Sequence, residues 1–304
     1  MDYVLQTTSL TKIYGNSRVV NDVSMHVEKG SIYGFIGRNG AGKTTFMRMA
    51  AGLAAPSAGS MALFGSGDLE KQRIRIGTLI ENPGIYPGMT AHENMETVRR
   101  SLGIADRRRC DELLALAGLS DTGKKKAKHF SMGMKQRLGI AISLLRGPDF
   151  LILDEPINGL DPAGIKEVRD LLLRLNKEKQ ITILISSHIL GELSKIATHY
   201  GIIRNGSLIE EFDAKELTQR CRRCLKLSVS EPQEAANLLE RMLAIHNYDV
   251  PQPGILRIFE KLDDTARINQ TLVENGISLR ESYLAGQDLE GYFMDLLGSS
   301  NESV

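Results

Sequence analysis

Between Ile32 and Ile36 the chain is almost continuously apolar, follows a turn at Gly30, and leads through a glycine-rich loop into a helix-forming run over Thr44–Ala51. Two further runs, Phe150–Leu153 and Ile181–Ile185, are short and apolar on both faces, the pattern of strands buried inside a covered parallel sheet. Between them Ile165, Val168, Leu171, Leu172 and Leu175 recur at helical spacing, so Gly164–Glu178 supplies the crossover that a parallel pair requires. From Ala91 to Leu145 no strand-like run occurs. Three helical patterns fill that stretch, over Glu93–Leu102, Arg107–Ala117 and Met132–Leu145. The expected fold is therefore α/β: a parallel-sheet core carrying an all-helical insertion at about residues 85–148.

The pattern changes after about Leu217, where Arg220-Cys-Arg-Arg223 precedes alternation at Leu225, Leu227 and Val229. From Cys224 to Tyr283 the order reads βαββαβ, a split βαβ, although Pro251 and Pro253 weaken its middle hairpin. Two domains follow, 1–219 and 220–304, the second a small α+β accessory unit. The segment Asp288–Leu297 has the spacing of an amphipathic closing helix.

Composition removes several classes of function. With 304 residues, 42% hydrophobic and 25% charged, the chain has the means to fold into two cores. Lys and Arg number 38 against 37 Asp and Glu, which leaves no global field for gripping nucleic acid. Cys110, Cys221 and Cys224 are too few for a disulfide framework and fit a reducing, cytoplasmic setting. The Cys221/Cys224 pair lacks the second pair or histidine that a zinc site needs, and Lys124–Lys126 reads as a solvated loop. The first ten residues lack the basic start and apolar core of a signal peptide, and no apolar run approaches the ~18 residues of a spanning helix. If this protein serves a membrane, another chain crosses it.

Gly37-Arg-Asn-Gly-Ala-Gly-Lys-Thr44 fits the phosphate-binding loop, a glycine, four residues, then Gly-Lys-Ser/Thr, and it stands between strand and helix as that loop must. In such a loop backbone N–H groups of Gly37, Asn39, Gly40, Ala41 and Gly42 converge on phosphate oxygens, with Thr45 just inside the helix. Lys43 reaches the β and γ phosphates, and the Thr44 hydroxyl is a ligand for Mg²⁺. Asp154-Glu155 follows the strand Phe150–Leu153, at the strand end where open sheets bind ligands. Asp154 is then a metal carboxylate and Glu155 the base that polarises water. A guanine-reading Asn-Lys-x-Asp is not formed, since Asn176-Lys-Glu-Lys179 ends in lysine.

Over about its first 215 residues the chain resembles the nucleotide-binding subunit of ATP-binding-cassette transporters. Gly37–Thr44 is similar to the family's Walker A, Phe150–Glu155 to its Walker B with catalytic glutamate, Asn158–Asp161 to its D-loop, and His188 to its switch histidine. Tyr14 matches the aromatic that stacks on adenine, although a Tyr there would equally suit core packing. Phe130-Ser-Met-Gly-Met-Lys-Gln-Arg137 falls where the family carries Leu-Ser-Gly-Gly-Gln; Phe130, Met132 and Met134 depart from it, while Ser131 and Gly133 are retained. Ser131 also has the chemistry of a helix N-cap, which by itself would account for it. Where most cassettes have glutamine after the strand Ile76–Ile80, this chain has Glu81, a pattern similar to the ATPases of lantibiotic immunity and bacitracin-type peptide exporters.

That resemblance implies ATP and Mg²⁺ as cofactors, with Glu81 a further contact to nucleotide and metal. It implies that Ser131 and Gly133 complete the site of a second copy in a head-to-tail dimer, with Asp161 a further nucleotide-site residue. It also implies a transmembrane permease as partner and a place on the cytoplasmic face of the cell membrane. The competing expectation is a cassette ATPase acting on another cytosolic machine; the tandem cassettes or long coiled coil of those proteins are not visible here.

Overall fold

The computed structural model describes residues 2–286 and 291–293. The chain divides into a unit from Met1 to Ala214 and a second from Lys215 to Asp295, a few residues before the boundary expected at 219/220. The difference arises because the helix Ala214–Arg220 belongs almost wholly to the second unit.

The first unit is built on a six-stranded sheet whose neighbours run Ser207–Asp213, His199–Arg204, Ile32–Ile36, Thr182–Ser187, Phe150–Leu153, Ile76–Leu79. The first pair is antiparallel and every other pair parallel. All residues of Ile32–Ile36 and Phe150–Leu153 are buried, as their unbroken apolar runs require. The crossover helix spans Pro162–Lys179 and turns Val168, Leu171, Leu172 and Leu175 inward.

A second sheet was not visible in the pattern. Tyr3–Tyr14 pairs antiparallel with Ser17–Val23, His26–Glu28 and Ala58–Leu63. Its twelve residues include three threonines and a serine, and Ser9 takes φ 50 where the pairing register shifts, so apolar alternation is lost mid-strand. The helix Lys43–Ala51 lies between the two sheets: Phe46, Met47 and Met49 share one core with Leu5 and Val27 on one side and Phe35, Ile152 and Leu184 on the other. The Phe35 and Phe46 rings meet at 5.2 Å. Burial of each such side chain stabilises by about 1.5–3 kcal/mol, which fixes the glycine-rich loop at the head of this helix.

The insertion forms helices Ala91–Ser101, Arg108–Leu116 and Met132–Ser143, with two single 3₁₀ turns between the last two. The first opens on a capping box: Thr90 Oγ1 accepts from Glu93 N at 3.1 Å while Glu93 Oε2 accepts from Thr90 N at 2.7 Å. The Thr90 N–H and the Lys126 ammonium hold the Glu93 carboxyl at about 2.

The second unit is βαββαβ, its strands ordered Tyr248–Gln252, Ile255–Ile258, Cys224–Val229, Leu279–Ala285, each antiparallel to its neighbour. Pro251 is accommodated because its strand is the edge one, with an irregular register between Asp249 and Gln252. Helices Pro232–Leu243 and Thr265–Glu274 cover one face, giving a core of its own around Leu227, Leu239, Leu256 and Leu272. Of the helix expected over Asp288–Leu297, residues 291–293 are helical and the rest lies outside the described residues. Among the described residues no helix is long and apolar enough to cross a membrane.

Because each unit carries its own core, a chain ending at Ala214 should melt cooperatively and bind ATP within about threefold of the full chain. Circular dichroism and a fluorescent-ATP titration check this; an unfolded fragment contradicts the division.

Candidate functional site

Four neighbouring strands present their carboxyl ends on one edge of the large sheet: Ile36 leads to Gly37, Leu153 to Asp154, Ser187 to His188, and Leu79 to Ile80-Glu81. That is the edge where open α/β sheets bind ligands. The loop Gly37–Gly42 reaches the helix through Gly42, whose φ of 106 lies in the left-handed region and whose added Cβ would stand 2.5 Å from the Val19 carbonyl oxygen. Only glycine fits there. The loop's Asn39 and Gly40 are exposed, Ala41 and Gly42 are buried, and Thr44 and Thr45 are half-buried on the first helical turn.

Lys43 is only 5% exposed. Its ammonium donates to Gly37 O at 2.6 Å and Arg38 O at 3.3 Å, and lies 3.3 Å from Glu155 Oε1. An unpaired ammonium at this depth would be costly, so the loop's own carbonyls and Glu155 hold it beneath the curve of the loop. Thr44 Oγ1 donates to Asp154 Oδ2 at 2.7 Å. A hydroxyl and a carboxylate so placed are hard oxygen donors of the kind Mg²⁺ takes singly, beside phosphates and water. No group of three His, Cys, Asp or Glu able to hold a metal occurs among the described residues, and a phosphate-bridged Mg²⁺ needs none.

Glu155 takes φ 49, a left-handed conformation that costs a non-glycine residue about 1–2 kcal/mol. Two hydrogen bonds hold it there. Its backbone N–H donates to Ser186 Oγ at 2.8 Å, and its Oε2 lies 2.8 Å from His188 Nδ1. The other oxygen, Oε1, is buried within ion-pair distance of Lys43 yet accepts no hydrogen bond. One carboxylate oxygen of Glu155 thus meets His188 and the other faces the Lys43 ammonium. The His188 turn is fixed from outside the site as well. Ser187 Oγ accepts from Ile189 N at 2.9 Å, and Glu192 on the following turn takes Arg169 at 2.7 Å. Lys195 and then Arg169 hold the Glu192 carboxyl below its usual range.

Ser186 is the functional residue that motif reading passed over. Fully buried at the end of its strand, it donates to Asp154 Oδ1 at 2.6 Å while accepting from Glu155 N, so one hydroxyl orients both carboxylates. The signal was present as a serine closing an apolar run next to Ser187-His188. Ser186→Ala should lower kcat about tenfold or more and cost about 2 kcal/mol in urea unfolding, the worth of a buried bond to an ionised group. An alanine variant with wild-type kcat would show that Ser186 merely fills space.

The remaining expected residues fall apart from this group. Tyr14 is 47% exposed at the end of its strand with the Lys12 ammonium 4.9 Å from its ring, so it is not a core-packing residue. Glu81 takes φ 65, which turns its side chain back to Arg48, one turn beyond Thr44 on the loop's helix, at 2.5 Å. The Glu81 carboxylate, expected to face nucleotide and metal, here forms an exposed ion pair with Arg48. Ser131 Oγ accepts from Met134 N at 3.2 Å and Asp161 Oδ1 from Gly164 N at 3.2 Å, each capping its own helix, with Gly133 buried behind Ser131.

A glycine-rich loop at the head of a helix, joined to a strand-end carboxylate pair in a parallel sheet, defines a P-loop nucleoside-triphosphate-binding protein. The family model described as "ABC transporter" matches residues 20–158. The bacitracin transport ATP-binding protein BcrA of Bacillus licheniformis is 44% identical over 301 residues, 98% of this chain and 98% of BcrA. The lantibiotic transport ATP-binding protein SrtF of Streptococcus pyogenes is 42% identical over 215 residues, 70% of this chain and 93% of SrtF. Among solved structures, cbiO1 of Clostridium perfringens, part of the cbiONQ transporter complex, shares the fold with a TM-score of 0.66 at 24% identity, covering 80% of this chain and 97% of cbiO1. The chain belongs to the ATP-binding-cassette transporter family, as an ATP-binding and ATP-hydrolysing subunit.

Proposed function

We propose that the chain powers a separate membrane-spanning permease that exports a bacitracin- or lantibiotic-type peptide, working as a pair of copies on the cytoplasmic face of the membrane. The observation that carries the hydrolytic part is the Glu155 carboxylate, held in a left-handed turn between His188 and Ser186 and beside Lys43. The peptide class rests on the likeness to BcrA over nearly the whole of both chains and on Glu81 at the glutamine position.

In this reading the loop amides from Gly37 to Thr45 and the Lys43 ammonium bind the phosphates of ATP, and Tyr14 offers its exposed ring to the base. Thr44 and Asp154 would hold Mg²⁺, which would neutralise charge on the phosphates. Glu155 takes the proton of the attacking water. His188 orients the carboxylate through Oε2 and, with protons on both ring nitrogens, donates toward the γ-phosphate region as charge develops. Ser131, Gly133 and Asp161, which cap and pack their own helices here, serve the nucleotide held by the second copy, so two copies make two sites.

Deletion and complementation in the host test this proposal. Deletion of the gene should raise sensitivity of its host to a peptide antibiotic of this class, and the wild-type gene should restore it. Glu81→Ala should restore little while binding ATP normally, and Glu81→Gln should restore more, since it keeps length and an acceptor oxygen. Unchanged sensitivity on deletion removes the substrate assignment, and full restoration by Glu81→Ala makes Glu81 an ordinary loop residue.

A further inference from the structure

The helix Met132–Ser143 crosses the helix Pro162–Lys179 at a point where both lack side chains. An added Cβ on Gly133 would meet Gly164 Cα at 3.4 Å, and one on Gly164 would meet Asp161 Oδ1 at 2.8 Å and Gly133 Cα at 3.8 Å. The backbones therefore touch within the first turn of each helix, directly after Ser131 and Asp161. One turn further on the crossing is clamped by a nearly buried arginine. Arg137 Nη1 donates to the Ala117 and Gly118 carbonyls at 2.6 and 3.0 Å, while Nη2 pairs with Glu167 of the crossover helix at 3.1 Å. Its fork thus joins three elements: the end of Arg108–Leu116, the helix of Ser131 and the helix of Asp161.

We propose that Arg137, Glu167 and Gly164 are positioning residues that hold Ser131 and Asp161 as one rigid element, so that a second copy meets a preformed half-site. The inference rests on the two-copy reading above for its function, but the rigidity is a property of the single chain. Backbone contact at Gly133–Gly164 leaves no side chain to rearrange, and a planar guanidinium engaged by two carbonyls and a carboxylate restricts sliding along the crossing. Displacing either helix must then move both caps together.

Two measurements on the full chain decide it. In a Glu155→Gln background with Mg-ATP, Gly164→Ala and Arg137→Met should each weaken dimer association about tenfold or more in sedimentation, while fluorescent-ATP affinity of the monomer stays within about twofold. The two changes combined should weaken it less than the product of their separate effects, because each breaks the same element. Amide exchange in the nucleotide-free monomer supplies the arm that needs no dimer. Gly164→Ala should speed exchange of the Met134 N–H held by Ser131, and Arg137→Met that of the Gly164 N–H held by Asp161, by about tenfold. Dimer association equal to the parent's overturns the proposal, as does exchange at the opposite cap unchanged by each substitution. A parent that stays monomeric would instead remove the two-copy reading, and the exchange result alone would then decide whether the helices are locked.

Discussion

Glu155→Gln should lower ATP turnover about 100-fold or more while leaving ATP affinity within about threefold of wild type. The amide keeps the shape of the side chain, its reach to His188 and the backbone bond to Ser186, none of which needs a negative charge. What it loses is the basic oxygen. The substitution removes that basicity from the carboxylate that stands between His188 and Lys43. It also removes the charge paired with Lys43 at 3.3 Å, which should leave that ammonium more available to phosphate. Phosphate-release assays beside a fluorescent-nucleotide titration check both halves. Turnover within a few fold of wild type would assign the proton to another group.

Lys43→Ala should act on the opposite quantity and weaken ATP binding about 100-fold or more. Each charge-assisted hydrogen bond to phosphate contributes on the order of 1.5–3 kcal/mol, and two of them exceed the ~2.8 kcal/mol that corresponds to 100-fold. In the nucleotide-free chain Lys43 also bonds Gly37 and Arg38 carbonyls from below, so the loop loses its internal tie as well as its cation. The helix itself should persist, because Phe46, Met47 and Met49 remain buried between the two sheets. Calorimetric titration with ATP, run beside a melting curve, separates the two effects. Wild-type affinity would mean that the backbone amides alone grip the phosphates.

Much of the architecture was legible because its signals are local. Ile32–Ile36 and Phe150–Leu153 read as buried parallel strands from their unbroken apolar runs, and the βαββαβ order of the second unit followed from alternating short apolar segments. The strand Tyr3–Tyr14 was not legible, since Thr7, Thr8, Ser9 and Thr11 break its alternation and its partners lie as far away as Ala58–Leu63. Thr7 is nonetheless 2% exposed: its hydroxyl donates to Val23 O and accepts from Met25 N, a long-range pairing that no residue pattern announces. The same reason hid Ser186, whose partners stand 31 and 32 residues away, and Arg48, whose claim on Glu81 depends on a left-handed turn at Glu81. Spacing told which residue types could carry phosphate chemistry. It did not tell which hydroxyl would hold the carboxylates or which cation would reach Glu81 first.

In the proposed pair one chain holds half of each working site, with the Walker residues facing one nucleotide and Ser131 and Asp161 serving another. Sedimentation velocity of the full-length Glu155→Gln chain, with and without saturating Mg-ATP, tests it most directly when bound nucleotide is counted in the same sample. The account predicts monomer without ATP and, with it, a dimer carrying two ATP that Ser131→Arg abolishes without loss of monomer binding. A chain that binds ATP yet remains monomeric, or a dimer indifferent to Ser131→Arg, would contradict it.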